Sequence, residues 1–449
     1  PHQRSMNHPP PPHPVDLLQT LIRFDTTNPP GNEAACVAHI DRLLQAAGIR
    51  TTLVARDERR PNLVARLPGR GTAPPLLLYG HVDVVPTAGQ DWRHPPFSGQ
   101  IIDGTLWGRG ALDMKGGIAM MVTALLRAQH EGLDLPGDLV LGVLSDEEVD
   151  GEYGAKYVVE HHADLFRGIR YAIGEGGGYT TFIAGRKFYP IMVAEKQVCS
   201  LQATVRGPAG HGSVPLRGGA MAKLADVLHT LDRRRTPIHV TPIVQRTVEK
   251  MSRALPFPLG LGLRLTLNPL LSDPLLNQIG VEGEALSPLL RNTVSPTIVR
   301  GGNKINVIPG EVTLELDGRL LPGFTPQDLL DELADLLGHE VELEVTRYDP
   351  GPPASDMAGF EALAQVLRTA DPAGTPVPYL LSGVTDGRYF GQLGIQTYGF
   401  LPLDLPEGLV STIHAADERV PIEAIRSGTD VLYRAMQHLN TLGHGDYSG

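Results

Sequence analysis

Five short segments hold the residues whose types and spacing could do chemistry. His81 and Asp83 stand in Gly80-His81-Val82-Asp83-Val84-Val85-Pro86. An imidazole binds a divalent cation well when its other ring nitrogen is held. An aspartate two residues on, in extended chain, lies on the same side and can accept that N–H. Asp113 stands in Trp107-Gly108-Arg109-Gly110-Ala111-Leu112-Asp113-Met114-Lys115-Gly116-Gly117. The plain role for an aspartate before a helix is an N-cap; the glycines suggest instead a tight path that aims the carboxylate. Arg109 reads as a supporting residue. Ser145-Asp146-Glu147-Glu148 packs three acids together, which repel at a buried strand end unless a cation offsets them. Glu147 and Glu148 point different ways, so one can bind metal while the other handles a proton. Glu175, in Gly174-Glu175-Gly176, and His414, in Ile413-His414-Ala415-Ala416-Asp417-Glu418, add two more metal-binding side chains. Singly, each has a bland alternative: a satisfied histidine, an acidic surface loop, a loop acid among glycines.

The elements around these residues give the group its meaning. Apolar strands are expected from Pro75 to Tyr79, from Leu139 to Leu144 and from Tyr171 to Ile173, and just beyond their ends stand His81, Glu147 and Glu175. Asp16 is the expected cap of a first helix, Asn32 and Gly48 bracket a second, and Met114 to Glu131 forms a third. Asp103-Gly104 between Ile101-Ile102 and Leu106-Trp107 signals a hairpin. Apolar strands with helical crossovers make a mostly parallel sheet with helices on both faces, and such sheets bind ligands beyond the carboxyl ends of their strands. After Gln197 the texture changes. Val198 to Arg206 alternates, a helix spans Gly219 to Arg233, and a Pro- and Leu-rich stretch runs from Thr236 to Pro288. Short strands return at Thr297, Ile305 and Val312, and helix–strand alternation resumes at Thr325 and ends in a helix from Ile422 to Leu439. The expected fold is therefore α/β, interrupted by an α+β insertion at 198–322. The flanking 14–197 and 323–449 form the domain that carries the metal residues, and 1–13 is a disordered tail.

Composition narrows the class. A chain of 449 residues is too long for one ordinary core. The net charge of -11 argues against nucleic-acid and anionic-membrane partners, although a local basic patch is compatible with it. Cys36 and Cys199 are the only cysteines, which excludes a disulfide framework and fits a cytoplasmic setting. The start, Pro1-His2-Gln3-Arg4-Ser5-Met6, has no apolar core of a signal peptide, and no apolar run approaches the roughly 18 residues of a membrane span. His161-His162 offers a rival metal pair, but adjacent helix residues face apart.

In order along the chain, GHVDVVP, GRGALDMKGG, SDEE, GEGG and IHAADE resemble the M20 family of metallopeptidases and deacylases. The resemblance runs from about Val15 to Leu439. It implies two zinc ions, with cobalt or manganese as substitutes. Asp113 would bridge them, His81 and Glu175 would complete one site, and Glu148 and His414 the other. It implies that Asp83 supports His81, that Glu147 is the general base and that a cis peptide follows Asp113. In the insertion, Gly207-Pro208-Ala209-Gly210-His211-Gly212-Ser213 is similar to the family's oxyanion-binding turn, whose histidine commonly serves a neighbouring subunit. The resemblance makes the insertion a lid and dimerisation domain, hence a possible homodimer. It gives Asn306 and Arg319 to the substrate, with an Asp317 salt bridge as the plain alternative for Arg319, and places Thr385, Asp386 and Arg388 at the pocket border, with a purely structural role as the alternative for Arg388. The long spacer between His211 and Asn306 is similar to the carboxypeptidase S and aminoacylase-like branch. The expected activity is hydrolysis of a small N-acyl-amino acid or peptide. A dipeptidase or carboxypeptidase with the same chemistry, a non-catalytic metal-binding relative and a two-metal phosphoesterase are the competing readings.

Overall fold

A computed structural model describes residues 9–279, 285–351 and 355–442. The chain forms two compact units: Pro1–Val193 with Ser355–Tyr379 and Thr385–Gly449, and Ala194–Ala354 with Leu380–Val384.

The first unit is built on a nine-stranded sheet. At its centre, Leu76–His81 lies between Leu139–Leu144 and Tyr171–Gly174, parallel to both, and Gln396–Gly399 continues the parallel run beside Tyr171–Gly174. The first two of these strands are buried along their whole length, as strands covered on both faces must be. Leu77 and Tyr79 pack into a core with Val158, Phe166 and Phe390. Gly80 points to the other face, where a Cβ would strike the Met114 side chain at the start of helix Lys115–His130. That helix packs beside Pro14–Ile22 and Ile422–Asn440. The sheet is not parallel throughout. Arg50–Val54 and Asn62–Leu67 add antiparallel strands at one side, and Arg186–Glu195 runs antiparallel to Gln396–Gly399 at the other.

Two N-terminal expectations change. The first helix is capped by His13, whose Nδ1 accepts from the Val15 N–H at 3.4 Å, with Pro14 in the first turn; Asp16 lies inside the helix. The expected tail therefore ends in an ordered cap, while residues 1–8 lie outside the described residues. The hairpin at Asp103-Gly104 forms as expected, both residues having positive φ, between Gln100–Ile102 and Thr105–Trp107.

The second unit is a four-stranded antiparallel sheet in the order Thr293–Gly301, Glu311–Leu320, Gln197–Arg206, Glu342–Asp349. Helices Ala220–Arg233 and Pro326–Leu337 cover it, Leu224, Val227, Leu329 and Leu333 meeting Leu201, Ala203, Leu314 and Leu316. The boundary expected at 322 therefore falls inside this unit. Glu342–Asp349 alternates exposed and half-buried residues and pairs antiparallel with Gln197–Arg206, which draws in the helix before it. The Pro- and Leu-rich stretch, for which no elements were expected, contains helices Pro242–Ala254, Leu259–Leu265 and Pro269–Ile279. Thr241 caps the first of them, and prolines open the first and third.

Candidate metal centre

Parallel strands deliver three of the acids and imidazoles to one edge. His81 is the last residue of its strand, and Glu175 follows the end of Tyr171–Gly174. Glu147 and Glu148 begin a short 3-10 turn, entered through Asp146 in the left-handed region at φ 69°. Asp113 ends the glycine-rich loop before helix Lys115–His130. It does not cap that helix; Met114 occupies the cap position, and the Asp113–Met114 peptide is cis. His414 arrives from the far end of the sequence, on a loop after a 3-10 turn at Leu409–Thr412.

The donor atoms form two groups, His81–Asp113–Glu175 and Asp113–Glu148–His414, each with all its donors within 4.8 Å of one another. Asp113 belongs to both. Its Oδ1 lies 3.2 Å from His81 Nε2 and its Oδ2 lies 3.0 Å from His414 Nε2. Glu175 Oε2 is 3.3 Å from His81 Nε2, Glu148 Oε2 is 3.2 Å from His414 Nε2, and Glu147 Oε2 stands off at 3.9 Å from His81. Glu148 Oε1 and Glu175 Oε1 are buried with no hydrogen-bond partner among the described residues. Two imidazoles, a shared carboxylate and two acids with spare buried oxygens are a donor set that fits a pair of divalent cations.

The electrostatics agree. Burial alone would lower His81, but the Glu175 charge and hydrogen bonds donated to Asp113 and Asp83 hold its imidazole well above the usual range. Hydrogen bonds to Asp113 and Glu148 raise His414 to about 10. Burial opposes ionisation of Asp113, yet its contacts with His414 and His81 keep it below the usual carboxylate range. Glu147 is pushed up, first by burial and then by the Glu175 charge. The acidic neighbours thus favour positive charge among these side chains, which a bound cation would supply.

Two buried networks hold these side chains. In the first, Asp83 does more than support His81. The His81 Nδ1 lies 3.0 Å from the Asp83 carbonyl oxygen and 3.5 Å from its carboxylate, so the backbone is its nearer partner. The Asp83 carboxylate accepts instead from the backbone N–H of Glu147 and of Glu148, each at 3.1 Å, and from Asn28 at 2.8 Å. Asn28 also donates to Asp146, which pairs with Arg60 at 2.9 Å, and Arg60 pairs with buried Glu33 at 2.8 Å. In the second network, the buried Glu418 carboxylate accepts from the backbone N–H groups of Gly110, Leu112 and Asp113 and from Arg109 at 2.7 Å. Arg109 also reaches Gln90, whose amide donates to the His414 carbonyl. Arg109 thus has the supporting role its sequence context suggests.

Sequence reasoning did not single out Glu418, although it stands four residues after His414 in the same motif. Arg60, Asn28 and Glu33 lie in unremarkable local sequence, and only the fold brings them here.

The remaining expected site residues lie outside the two donor groups. Arg388 is buried, its guanidinium bonded to the Thr385 carbonyl, the Tyr389 hydroxyl and the Asp150 carbonyl. These contacts fit the structural alternative that the sequence left open for Arg388, and Thr385 is drawn into the same turn by accepting from the Gly387 N–H. Asp386 is buried and raised well above the usual range by that burial. In the second unit His211 is exposed on a two-residue strand paired with Val307–Ile308. Its Nδ1 accepts from the Ser213 N–H at 3.2 Å, which leaves Nε2 as the N–H donor. Asn306, also exposed, accepts through its backbone carbonyl from the Gly212 N–H at 2.8 Å. Arg319 forks onto Asp317, Nε to Oδ1 at 2.8 Å and Nη2 to Oδ2 at 3.1 Å, the salt bridge its sequence context allowed. His161 stacks on Tyr157 and belongs to neither donor group.

Comparison with known proteins bears directly on this site. Residues 77–438 match the model of peptidase family M20/M25/M40. The chain belongs to the M20 family. It is a metal-dependent hydrolase of that family. Over 379 residues it is 31% identical to the N-fatty-acyl-amino acid synthase/hydrolase PM20D1 of Xenopus tropicalis, covering 82% of this chain and 73% of that protein. It is 28% identical to the succinyl-diaminopimelate desuccinylase of Maricaulis maris, over 95% of both chains. The M20 metallo-carboxypeptidase Sso-CP2 of Sulfolobus solfataricus shares the fold, with a TM-score of 0.68 at 16% identity over 96% of this chain and 99% of that one. No helix among the described residues of this M20 protein is long and apolar enough to cross a membrane.

Proposed function

We propose that this M20 protein is a di-zinc amidohydrolase that cleaves the amide bond of an N-acyl-amino acid. The observation that supports this most is the division of Asp113, one oxygen toward His81 and the other toward His414, which joins two ligand groups through one carboxylate. His81, Asp113 and Glu175 would hold one ion, and Asp113, Glu148 and His414 the second, with Co2+ or Mn2+ able to replace Zn2+. When bound, such a pair lowers the pKa of water toward about 7 and polarises a carbonyl oxygen.

The chain's own residues supply the rest. Glu147 takes the proton of the attacking water and passes it to the leaving nitrogen, ending the cycle as a carboxylate. Asp83 keeps Glu147 and Glu148 in register through their backbone N–H groups. His211, with Nε2–H as donor, stabilises the negative oxygen of the tetrahedral intermediate. Asn306 and Arg319 hold the substrate's carboxylate, for which Arg319 exchanges Asp317. The second unit pairs two subunits; exposed Val214, Leu216, Ile305 and Val307 close to His211 and Asn306 in sequence suit burial against a partner copy. The names of the Xenopus tropicalis and Maricaulis maris relatives both describe acyl groups on amino acids, which favours that substrate class over dipeptides.

The test is a panel of N-acetyl, N-succinyl and long-chain N-acyl amino acids set beside dipeptides, with metal content measured in parallel. Turnover of acyl-amino acids, lost on chelation and restored by zinc, is expected. Preference for dipeptides would move the chain to the peptidase reading, and no turnover by metal-loaded protein would make it a non-catalytic metal binder.

A further inference from the structure

The helical stretch of the second unit exposes a run of large apolar side chains. Phe257 is 85% exposed and Leu270 85%, with Leu259, Leu261, Leu265 and Leu271 between 38% and 52%. Single apolar side chains on a surface are ordinary, but a contiguous set marks an interaction site. The helices Ala220–Arg233 and Pro326–Leu337 of the same unit bury Leu224, Leu329 and Leu333 against the sheet, so the exposure is not general to the unit's helices.

Charge identifies the partner. From Ala254 to Ser272 there is no acidic residue, and the one charged residue is Arg264, in a chain of net charge -11. Arg246, Arg253 and Arg264 are exposed around the apolar side chains, and Glu249 is paired with Arg253. Apolar side chains fringed by arginine on short helices fit the boundary between lipid headgroups and acyl chains, where a helix lies flat. A second copy of this chain fits less well. A two-fold contact would set a surface with more basic than acidic residues against itself, its two acids, Glu249 and Asp273, being paired already within the chain.

We propose that the segment from Pro242 to Ile279 docks the protein on an anionic lipid surface. Phe257 and Leu270 insert among the acyl chains, and Arg246, Arg253 and Arg264 meet the headgroups. The net charge of the chain points away from such a surface; the local charge of this segment points toward it. The proposal stands independently of the amide-hydrolysis reading.

Flotation of the full chain with vesicles tests it, comparing phosphatidylcholine alone with phosphatidylcholine containing phosphatidylglycerol. The protein should float with the anionic vesicles, less so at high salt. Phe257→Ser combined with Leu270→Ser should lower partitioning by on the order of 100-fold. Arg253→Gln combined with Arg264→Gln should lower it by on the order of 10-fold, on anionic vesicles only. Both variants should keep the far-ultraviolet circular dichroism and the hydrolysis of a short, water-soluble acyl-amino acid. No flotation of the parent protein, or equal flotation of the variants, overturns the proposal. So does a serine variant that turns a dimer into a monomer without vesicle binding by the parent, which would give the surface to a second copy. Loss of short-chain hydrolysis in that variant would give it to the substrate site and equally overturn the proposal.

Discussion

Around His81, Asp113 and Glu175 the chain buries charge; between Phe257 and Leu271 it exposes apolar side chains. The two regions reverse the usual distribution of residues in opposite directions. Around the metal centre the supporting carboxylates of Asp83, Asp146 and Glu418 are held by backbone N–H groups or by a buried arginine, which fixes the segments that carry the ligands. In the helical segment nothing comparable fixes the apolar side chains, which sit on short helices opened by proline. A site that must place a reacting atom needs rigid support, whereas a docking surface needs area and charge of the right sign. Buried acids call for a cation, and exposed leucines for an apolar phase.

The largest break in this contrast would come from Glu147→Gln. Turnover should fall on the order of 1,000-fold, as expected for loss of a general base, with metal content unchanged by atomic emission. Full activity in that variant would end the mechanistic assignment. Next in size is Glu418→Gln, which keeps the volume but weakens the grip on Gly110, Leu112, Asp113 and Arg109. Metal affinity measured by chelator competition should fall by roughly 10- to 100-fold, with activity recovered in excess metal. Unchanged affinity would show that the Asp113 loop holds itself. Glu418→Ala should also cost about 3–5 kcal/mol in denaturant unfolding, because Arg109 would keep a buried charge without its partner.

The smallest effect concerns the one lysine the second unit buries. Lys196 donates to the Pro288 and Arg291 carbonyls and to Thr293. Burial, with the Arg319 and Arg291 charges, lowers it to about 7. In the unfolded chain the amine keeps its proton to about pH 10.4. Between those values the unfolded state binds more protons, so this contribution to stability is complete above the unfolded value and lost as pH falls through about 7. In Lys196→Met the rise in unfolding midpoint from about pH 7 to pH 10 should be flatter than in the parent. An identical slope would show that Lys196 titrates normally.

The legible parts of the molecule were those with strong local patterns. Leu139–Leu144 and the helix ending at Arg233 were readable because their apolar runs and periodicity match their burial. Helices Leu259–Leu265 and Pro269–Ile279 were missed because several of their leucines face outward, which blurs the periodic signal of a buried stripe; Pro242–Ala254 does bury Ile243, Val244, Thr247 and Val248, a stripe passed over within the proline-rich stretch. The antiparallel strand Arg186–Glu195 was missed where Pro190 interrupts its run. Glu342–Asp349 was read as part of the first unit because strand partners lie far apart in sequence.

By itself the sequence determined which side chains are able to bind metal and that three of them follow strand ends, since residue chemistry and strand periodicity are local properties. It also carried the family motifs. Only the tertiary structure decided that Asp113 shares its two oxygens between His81 and His414, that Asp83 grips the backbone of Glu147 and Glu148, and that Arg388 and Arg319 turn to protein partners. Those outcomes depend on which distant segments meet and on where each donor finds its nearest acceptor, and short-range pattern encodes neither.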